Sequence, residues 1–313
     1  MVSIYKTVDD KLTALDAPEK GCWINAVSPT QEEVTKIASQ LSIEHDFIAA
    51  ALDEEESARI ESEDGQLLVV VDIPTVEQDV TDNAYVYATL PMGIVLTEDY
   101  IVTVCTREVP MIGDFITGKV KSFWTYKKTR FVLQLLYRNA VRFLTYLRQI
   151  DRSSLRFEKE MYKSMRNKEM IQLLRIEKSL VYFSTSLKSN EVVLEKLMRQ
   201  ELVKRYPDDE ELLEDVIIEN KQAIEMCNIY SNVLSATMEA MGSLISNNLN
   251  IVMKALTSIT LVISVPTLIA SLWGMNVGGI PLANHPHGFL IMCVAAVVIS
   301  LVAAVVLLKH KMF

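Results

Sequence analysis

Asn250, Met253, Thr257, Thr260, Ser264, Thr267 and Ser271 follow one another at steps of three and four residues. That spacing puts them on one side of an α-helix. Leu256, Ile259, Leu261, Val262, Ile263, Val265, Leu268, Ile269 and Leu272 fill the remaining faces. Continued backwards, the same stripe takes in Ser246, Ser243 and Glu239. One or two hydroxyl residues in such a helix would be read as close-packing glue between neighbouring helices. A stripe that runs the length of the segment and passes through an asparagine to a glutamate points instead to a wet surface. There, hydroxyl and amide oxygens would line a path for ions. Enzyme chemistry has little to stand on. Ahead of the stripe the only histidine is His45, and no HExxH, Gly-rich phosphate loop or GxSxG element occurs.

The elements that must position the stripe follow from hydropathy and charge. Ala255 to Trp273 carries no charge and at 1.5 Å per residue covers ~28 Å, and Phe289 to Leu308 covers ~30 Å, so each can cross a bilayer core of roughly 30 Å. The loop between them, 274–288, turns the chain over at Gly278, Gly279, Pro281 and Pro286. Lys254 precedes the first span and Lys309, His310 and Lys311 follow the second, whereas the loop has neither Lys nor Arg. By the positive-inside rule both chain ends are expected in the cytoplasm of a cell-membrane protein. Two spans cannot enclose a pore. A ring-shaped homo-oligomer is therefore expected, with the first span innermost and the second facing lipid. The stretch Met1-Val-Ser-Ile-Tyr-Lys-Thr-Val-Asp-Asp has no basic segment followed by an apolar run, so no signal peptide is expected.

Residues 1–118 read as an α/β domain, with β-rich runs at Gly21–Val27, Gln66–Ile73, Ala84–Leu90, Ile94–Leu96 and Tyr100–Thr106. Gly65, Pro74, Pro91, Gly93 and Pro110 are read as breaks that bound the strands. Ser28 followed by Pro29 marks a helix start, and a second helix is expected over Glu44 to Leu52. From Lys119 to Tyr206 there is neither Gly nor Pro, and apolar residues recur at helical spacing. This predicts two long antiparallel helices over 119–206 with a polar turn near Asn167–Lys168. Pro207, Asp208 and Asp209 then open a stalk over 207–254, with acidic residues at its positive end. The stalk continues into the first span without a break.

Composition narrows the function classes. The 313 residues carry 31 basic and 40 acidic side chains, a net charge of −9, which argues against a nucleic-acid partner. Half the chain is hydrophobic and mean hydropathy is +0.20, yet charge and apolar excess are segregated, the latter at the C-terminal end. Cys22, Cys105, Cys227 and Cys293 show no CxxC spacing, so neither a disulfide framework nor a zinc site is expected.

The stripe ends in Trp273-Gly274-Met275-Asn276. An aromatic residue followed by Gly-Met-Asn, at the outer end of the first of two C-terminal spans and with a basic tail (309–313) behind the second, resembles the CorA family of divalent-cation channels. Trp23-Ile24-Asn25 with Pro29-Thr30 is similar to the family's early strand and helix start. Arg59-Ile60-Glu61 is similar to its next strand, and Asn250 to Thr257 to the inner mouth of its pore. The resemblance covers the whole chain. It implies a homopentamer in the lipid bilayer that admits Mg²⁺, and often Co²⁺ or Ni²⁺, with a cytoplasmic α/β/α sandwich. Gly274, Met275 and Asn276 would then form the selectivity filter. Mg²⁺ dehydrates reluctantly, so Asn276 amide oxygens would hold its water shell rather than replace it. Met253 and Leu256 would make an apolar constriction that gates by dewetting, and Glu239 an acidic ring that attracts cations.

The resemblance further implies that cytosolic Mg²⁺ binds between subunits and holds the channel closed. Asp215 stands where one such ligand would be. Its partner position is Ala50, with Asp53 and Glu54 a turn later as substitutes. Loss of the ion would leave like charges facing one another and favour opening. No cofactor is expected beyond Mg²⁺ as transported and regulatory ion. The outer loop lacks the acidic residue many relatives carry, and His285 and His287 could bind a transition metal if neutral. Proton-coupled Zn²⁺ transport is therefore one alternative, and a non-conducting membrane-tethered scaffold or sensor is another.

Overall fold

A computed structural model describes residues 1–79, 84–164, 167–200, 206–275, 278–280, 282 and 285–310. Its residues fall into two compact units, Met1–Ala236 and Thr237–Phe313.

The first unit is built on a mixed seven-stranded sheet in the order β2-β1-β3-β7-β6-β5-β4. The strands are β1 (Val2–Val8), β2 (Lys11–Leu15), β3 (Trp23–Val27), β4 (Arg59–Glu63), β5 (Gln66–Asp79), β6 (Ala84–Leu96) and β7 (Ile101–Cys105). Only β3 and β7 pair in parallel. The helices of this unit are α1 (Gln31–Leu41), α2 (His45–Ala49), α3 (Pro110–Ile116), α4 (Lys128–Ser164), α5 (Asn167–Leu197) and the first part of α6 (Pro207–Trp273). Strand alternation divides the core into two layers. Ile24, Val70, Val95, Val102 and Val104 pack with Val34, Ile37, Phe47 and Ile48 of α1 and α2. Trp23, Val69, Val71, Met92, Ile94 and Ile101 pack with α3, α4, α5 and Leu213, Val216 and Ile217 of α6. This is the α/β/α sandwich. Trp23 organises the second layer, edge-on to Phe115, Phe123 and Phe131. Its indole N–H donates to Thr103 Oγ1 at 2.8 Å, and that hydroxyl donates to Asn25 Oδ1 at 2.9 Å, so the buried polar atoms of β3 and β7 satisfy one another.

Four local readings are corrected. The hairpin β1–β2 was not anticipated; it closes on Asp9 and Asp10, both left-handed (φ 49° and 58°), where Asp can stand in for the usual Asn or Gly. The N-cap of α1 is Thr30 rather than Ser28. Thr30 Oγ1 accepts from Glu33 N–H at 3.2 Å and the Glu33 carboxylate accepts from Thr30 N–H at 2.9 Å, a reciprocal pair that Ser28 cannot form. Pro110 does not merely end a strand but begins α3, where its missing N–H costs nothing.

The fourth correction concerns the two long strands: β5 runs unbroken through Pro74, and β6 through Pro91 and Gly93. Pro91 faces Asp72 on β5, and the Asp72 N–H and C=O are bonded not to β6 but to Asn190 and Asn139 side chains at 2.8–2.9 Å. The pair carries no ladder bond, so the absent proline N–H leaves no gap. Gly93 is required because a Cβ there would stand 2.8 Å from the Ala51 Cβ in the 3₁₀ turn Ala50–Leu52.

In the second unit α6 continues to Trp273 and is followed by α7 (Gly288–Lys309). The C-terminal part of α6 and the whole of α7 are long and apolar enough to cross a membrane. α6 passes through Pro266, whose ring withholds an N–H from the Val262 carbonyl. At the far end of the hairpin the Trp273 and Phe289 rings lie 6.3 Å apart.

Candidate functional site

The C-terminal part of α6 has a covered side and an open side. Ala255, Ser258, Val262, Val265, Pro266, Ile269 and Trp273 are the residues of the span that are partly or wholly screened. On α7 the screened positions are Gly288, Met292, Ala295, Ala296, Ser300, Ala303, Ala304 and Leu307, a face dominated by small side chains that allow close helix approach. Asn250, Met253, Thr257, Thr260, Ser264, Thr267 and Ser271 are all exposed. At 100° per residue the centre of this stripe lies about 160° around the helix from the centre of the screened face. The polar side thus points away from α7. Leu256, also exposed, sits at the edge of the stripe, while Met253 lies within it. Glu239 is exposed and in line with the stripe about three turns before Asn250.

The hydroxyls share one orientation. Thr257, Thr260, Ser264 and Thr267 each donate to the carbonyl four residues earlier, at 2.7–2.9 Å. With the hydrogen committed to the helix, only lone pairs are left to face outward. A column of acceptors without donors suits the waters of a hydrated cation, which present hydrogens, and repels the oxygen end of an anion.

At the end of the stripe Gly274 N–H still donates to Ala270 O at 2.9 Å, and Met275 N–H reaches Leu272 O at 3.5 Å. A Cβ on Gly274 would lie 3.2 Å from that Ala270 oxygen, so glycine serves a close approach rather than a left-handed turn. Asn276 lies outside the described residues. His285 and His287 are exposed, with ring centroids 6.1 Å apart; His287 N–H donates to His285 Nδ1 at 3.2 Å, which leaves Nε2 of His285 as its protonated nitrogen.

The acidic positions are in the first unit and exposed. Asp215 has no ion-pair partner among the described residues. Asp53 Oδ1 accepts from Glu55 N–H at 3.0 Å. Glu54 shares the Arg107 guanidinium with Glu77, an arrangement that sequence reading missed because the three residues are far apart in the chain. Among the described residues no three His, Cys, Asp or Glu side chains converge within one chain.

An α/β/α unit, a continuous helix leading from it and a spanning hairpin with one polar side define a membrane transport protein of two spans per chain. Residues 18–310 match the family described as CorA-like Mg²⁺ transporter protein. The cobalt/magnesium transport protein CorA of Methanocaldococcus jannaschii is 30% identical over 293 residues, covering 90% of this chain and 87% of that one. The chain belongs to the CorA family. The complete structure of the CorA magnesium transporter from Methanocaldococcus jannaschii superposes with a TM-score of 0.84 at 26% identity, covering 98% of this chain and 96% of that one. The full-length CmaX protein shares the fold, with a TM-score of 0.69 at 16% identity and coverage of 99% and 97%.

Proposed function

We propose that the chain assembles as a homopentameric ring in the cell membrane, both ends cytoplasmic, and conducts Mg²⁺ inward, with Co²⁺ and Ni²⁺ as further substrates. It acts as a channel and not as an enzyme. The observation that carries this reading is the column of exposed oxygen acceptors set opposite the face that α7 covers. Placed around a common axis, five such columns offer a hydrated divalent ion acceptors at every turn of the helix, and α7 remains between the pore helix and lipid. Gly274, Met275 and Asn276 form the outer filter, Met253 with Leu256 the constriction, and Glu239 the acidic mouth. Gradient and membrane potential drive the ion, each charge gaining about 2.3 kcal/mol per 100 mV. Asp215, with Asp53 and Glu54 of a neighbouring subunit, is the regulatory Mg²⁺ site, and Arg107 competes with the ion for Glu54.

Flux into proteoliposomes tests the assignment, with Mg²⁺ and Zn²⁺ compared in the presence and absence of a pH gradient. Mg²⁺ entry without a proton gradient is expected, together with its loss in Asn276→Ala at unchanged assembly. Entry of Zn²⁺ alone, driven by protons, would overturn the assignment in favour of the zinc alternative. Full activity of Asn276→Ala would remove the filter from the account.

A further inference from the structure

His285 and His287 are two of the four histidines in the chain, and both stand exposed on the loop that joins the spans. They flank Pro286, whose ring fixes the backbone between them. Backbone bonds close the turn on either side: His285 N–H donates to Leu282 O at 3.1 Å, Gly288 N–H to His285 O at 2.9 Å and Ile291 N–H to His287 O at 3.1 Å. The two imidazoles are therefore carried on an ordered turn, with their ring centroids 6.1 Å apart.

That separation matches a shared metal ion. An imidazole nitrogen binds a divalent transition metal at about 2.0–2.1 Å, so two rings on one ion have centres about 5 Å apart at a tetrahedral angle and about 6.4 Å apart when opposed. The observed 6.1 Å falls between these limits, and the two exposed side chains need to close by no more than about 1 Å to reach the tetrahedral one. Each ring also has a nitrogen to offer. Neither ring nitrogen of His287 is engaged among the described residues, and His285 uses only Nδ1, which accepts from His287 N–H at 3.2 Å. When an ion binds at Nε2 of His285 the proton there passes to Nδ1, and that one long hydrogen bond is given up. The loop 274–288 has no Lys or Arg to repel a cation and no Asp or Glu to supply carboxylate oxygen. A pair of imidazoles suits Ni²⁺, Cu²⁺ and Zn²⁺, whereas Mg²⁺ takes oxygen ligands.

We propose that His285 and His287 together bind one late transition-metal ion per chain, at a site distinct from the oxygen-lined path. The ion is held by Nε2 of His285 and one ring nitrogen of His287, and water fills its remaining positions. Mg²⁺ does not compete for it, because neither ligand is an oxygen. The site is independent of the conduction reading: a chain that conducted nothing would still bind Ni²⁺ here.

Calorimetry with Ni²⁺ tests the site on the full-length chain in nanodiscs, stripped with EDTA and then held in about 10 mM Mg²⁺ to occupy oxygen-lined positions. Ni²⁺ is expected to bind at one ion per chain. His285→Ala and His287→Ala should each weaken that binding at least about tenfold, since either removes one of two imidazoles. The Tm should not move, because both side chains are exposed. His45→Ala and His310→Ala, which alter the other two histidines, should leave the affinity within about twofold. Cu²⁺ should bind more tightly than Ni²⁺, and Co²⁺ and Mn²⁺ less tightly, as the order of divalent affinities requires. Absence of Ni²⁺ binding up to about 1 mM, unaltered affinity in both loop variants, or Ni²⁺ binding abolished by Mg²⁺ would each overturn the proposal.

Discussion

Exchanging the central hydroxyls together, Thr260→Val, Ser264→Ala and Thr267→Val, tests the ion path with little change in side-chain shape. Each hydroxyl donates to the carbonyl four residues earlier, so the helix loses only local bonds that supplement its backbone ladder. That costs at most about 1 kcal/mol per site. The path loses one outward acceptor per site in every subunit. A hydrogen bond from the polarised water of a divalent ion ranks with charge-assisted bonds, worth about 1.5–3 kcal/mol. With pore water replacing half of it, each station still contributes about 1 kcal/mol, and three stations raise the barrier by about 3 kcal/mol. At 1.4 kcal/mol per factor of ten, influx should slow roughly a hundredfold. The assay is Mg²⁺ entry into proteoliposomes loaded with a Mg²⁺-sensitive dye, at matched incorporation, with Ile259→Val on another face of α6 as control. Influx within about twofold of the unsubstituted protein, from an oligomer that elutes normally, would refute the reasoning.

Three further expectations follow from other parts of the chain. Glu239→Gln should reduce Mg²⁺ influx at low ionic strength, and the difference should fade as salt is raised, because the carboxylate is exposed and acts by attraction at a distance; an effect independent of salt would argue against it. Gly93→Ala should destabilise the first unit by about 1–3 kcal/mol in denaturant unfolding, since the new methyl would meet the Ala51 Cβ at 2.8 Å. Burial holds the Asp72 carboxyl above its ordinary pKa, although a bond to Ser186 opposes this. The folded state therefore disfavours the charged carboxylate, a penalty that is full above that raised pKa and fades as pH falls from there to the ordinary carboxylate range. Asp72→Asn should raise the Tm at neutral pH and lose that advantage in acid; an equal gain at all pH values would show that charge is not the cause.

The spans, the long helices and the polar stripe could be read directly because each is a pattern of near neighbours. An uncharged apolar run has nowhere to reside but lipid or a core, and residues three and four apart must share a helix face whatever surrounds them. Gly-Met-Asn carried the family resemblance in the same local way. The errors came where a residue's meaning depends on a distant partner. Pro91 and Gly93 read as breaks, yet β6 passes through both, because Asn139 and Asn190 take the backbone bonds opposite the proline and Ala51 requires the glycine. What local reading could not supply for Glu54 was its pairing, because Arg107 and Glu77, remote in sequence, share its charge. Local periodicity thus determined which segments are helical, which enter the membrane and which side of the first span is polar. Only the tertiary structure decided that this side faces away from α7, and which charges are already paired, since burial and pairing depend on contacts between parts of the chain whose spacing carries no signal.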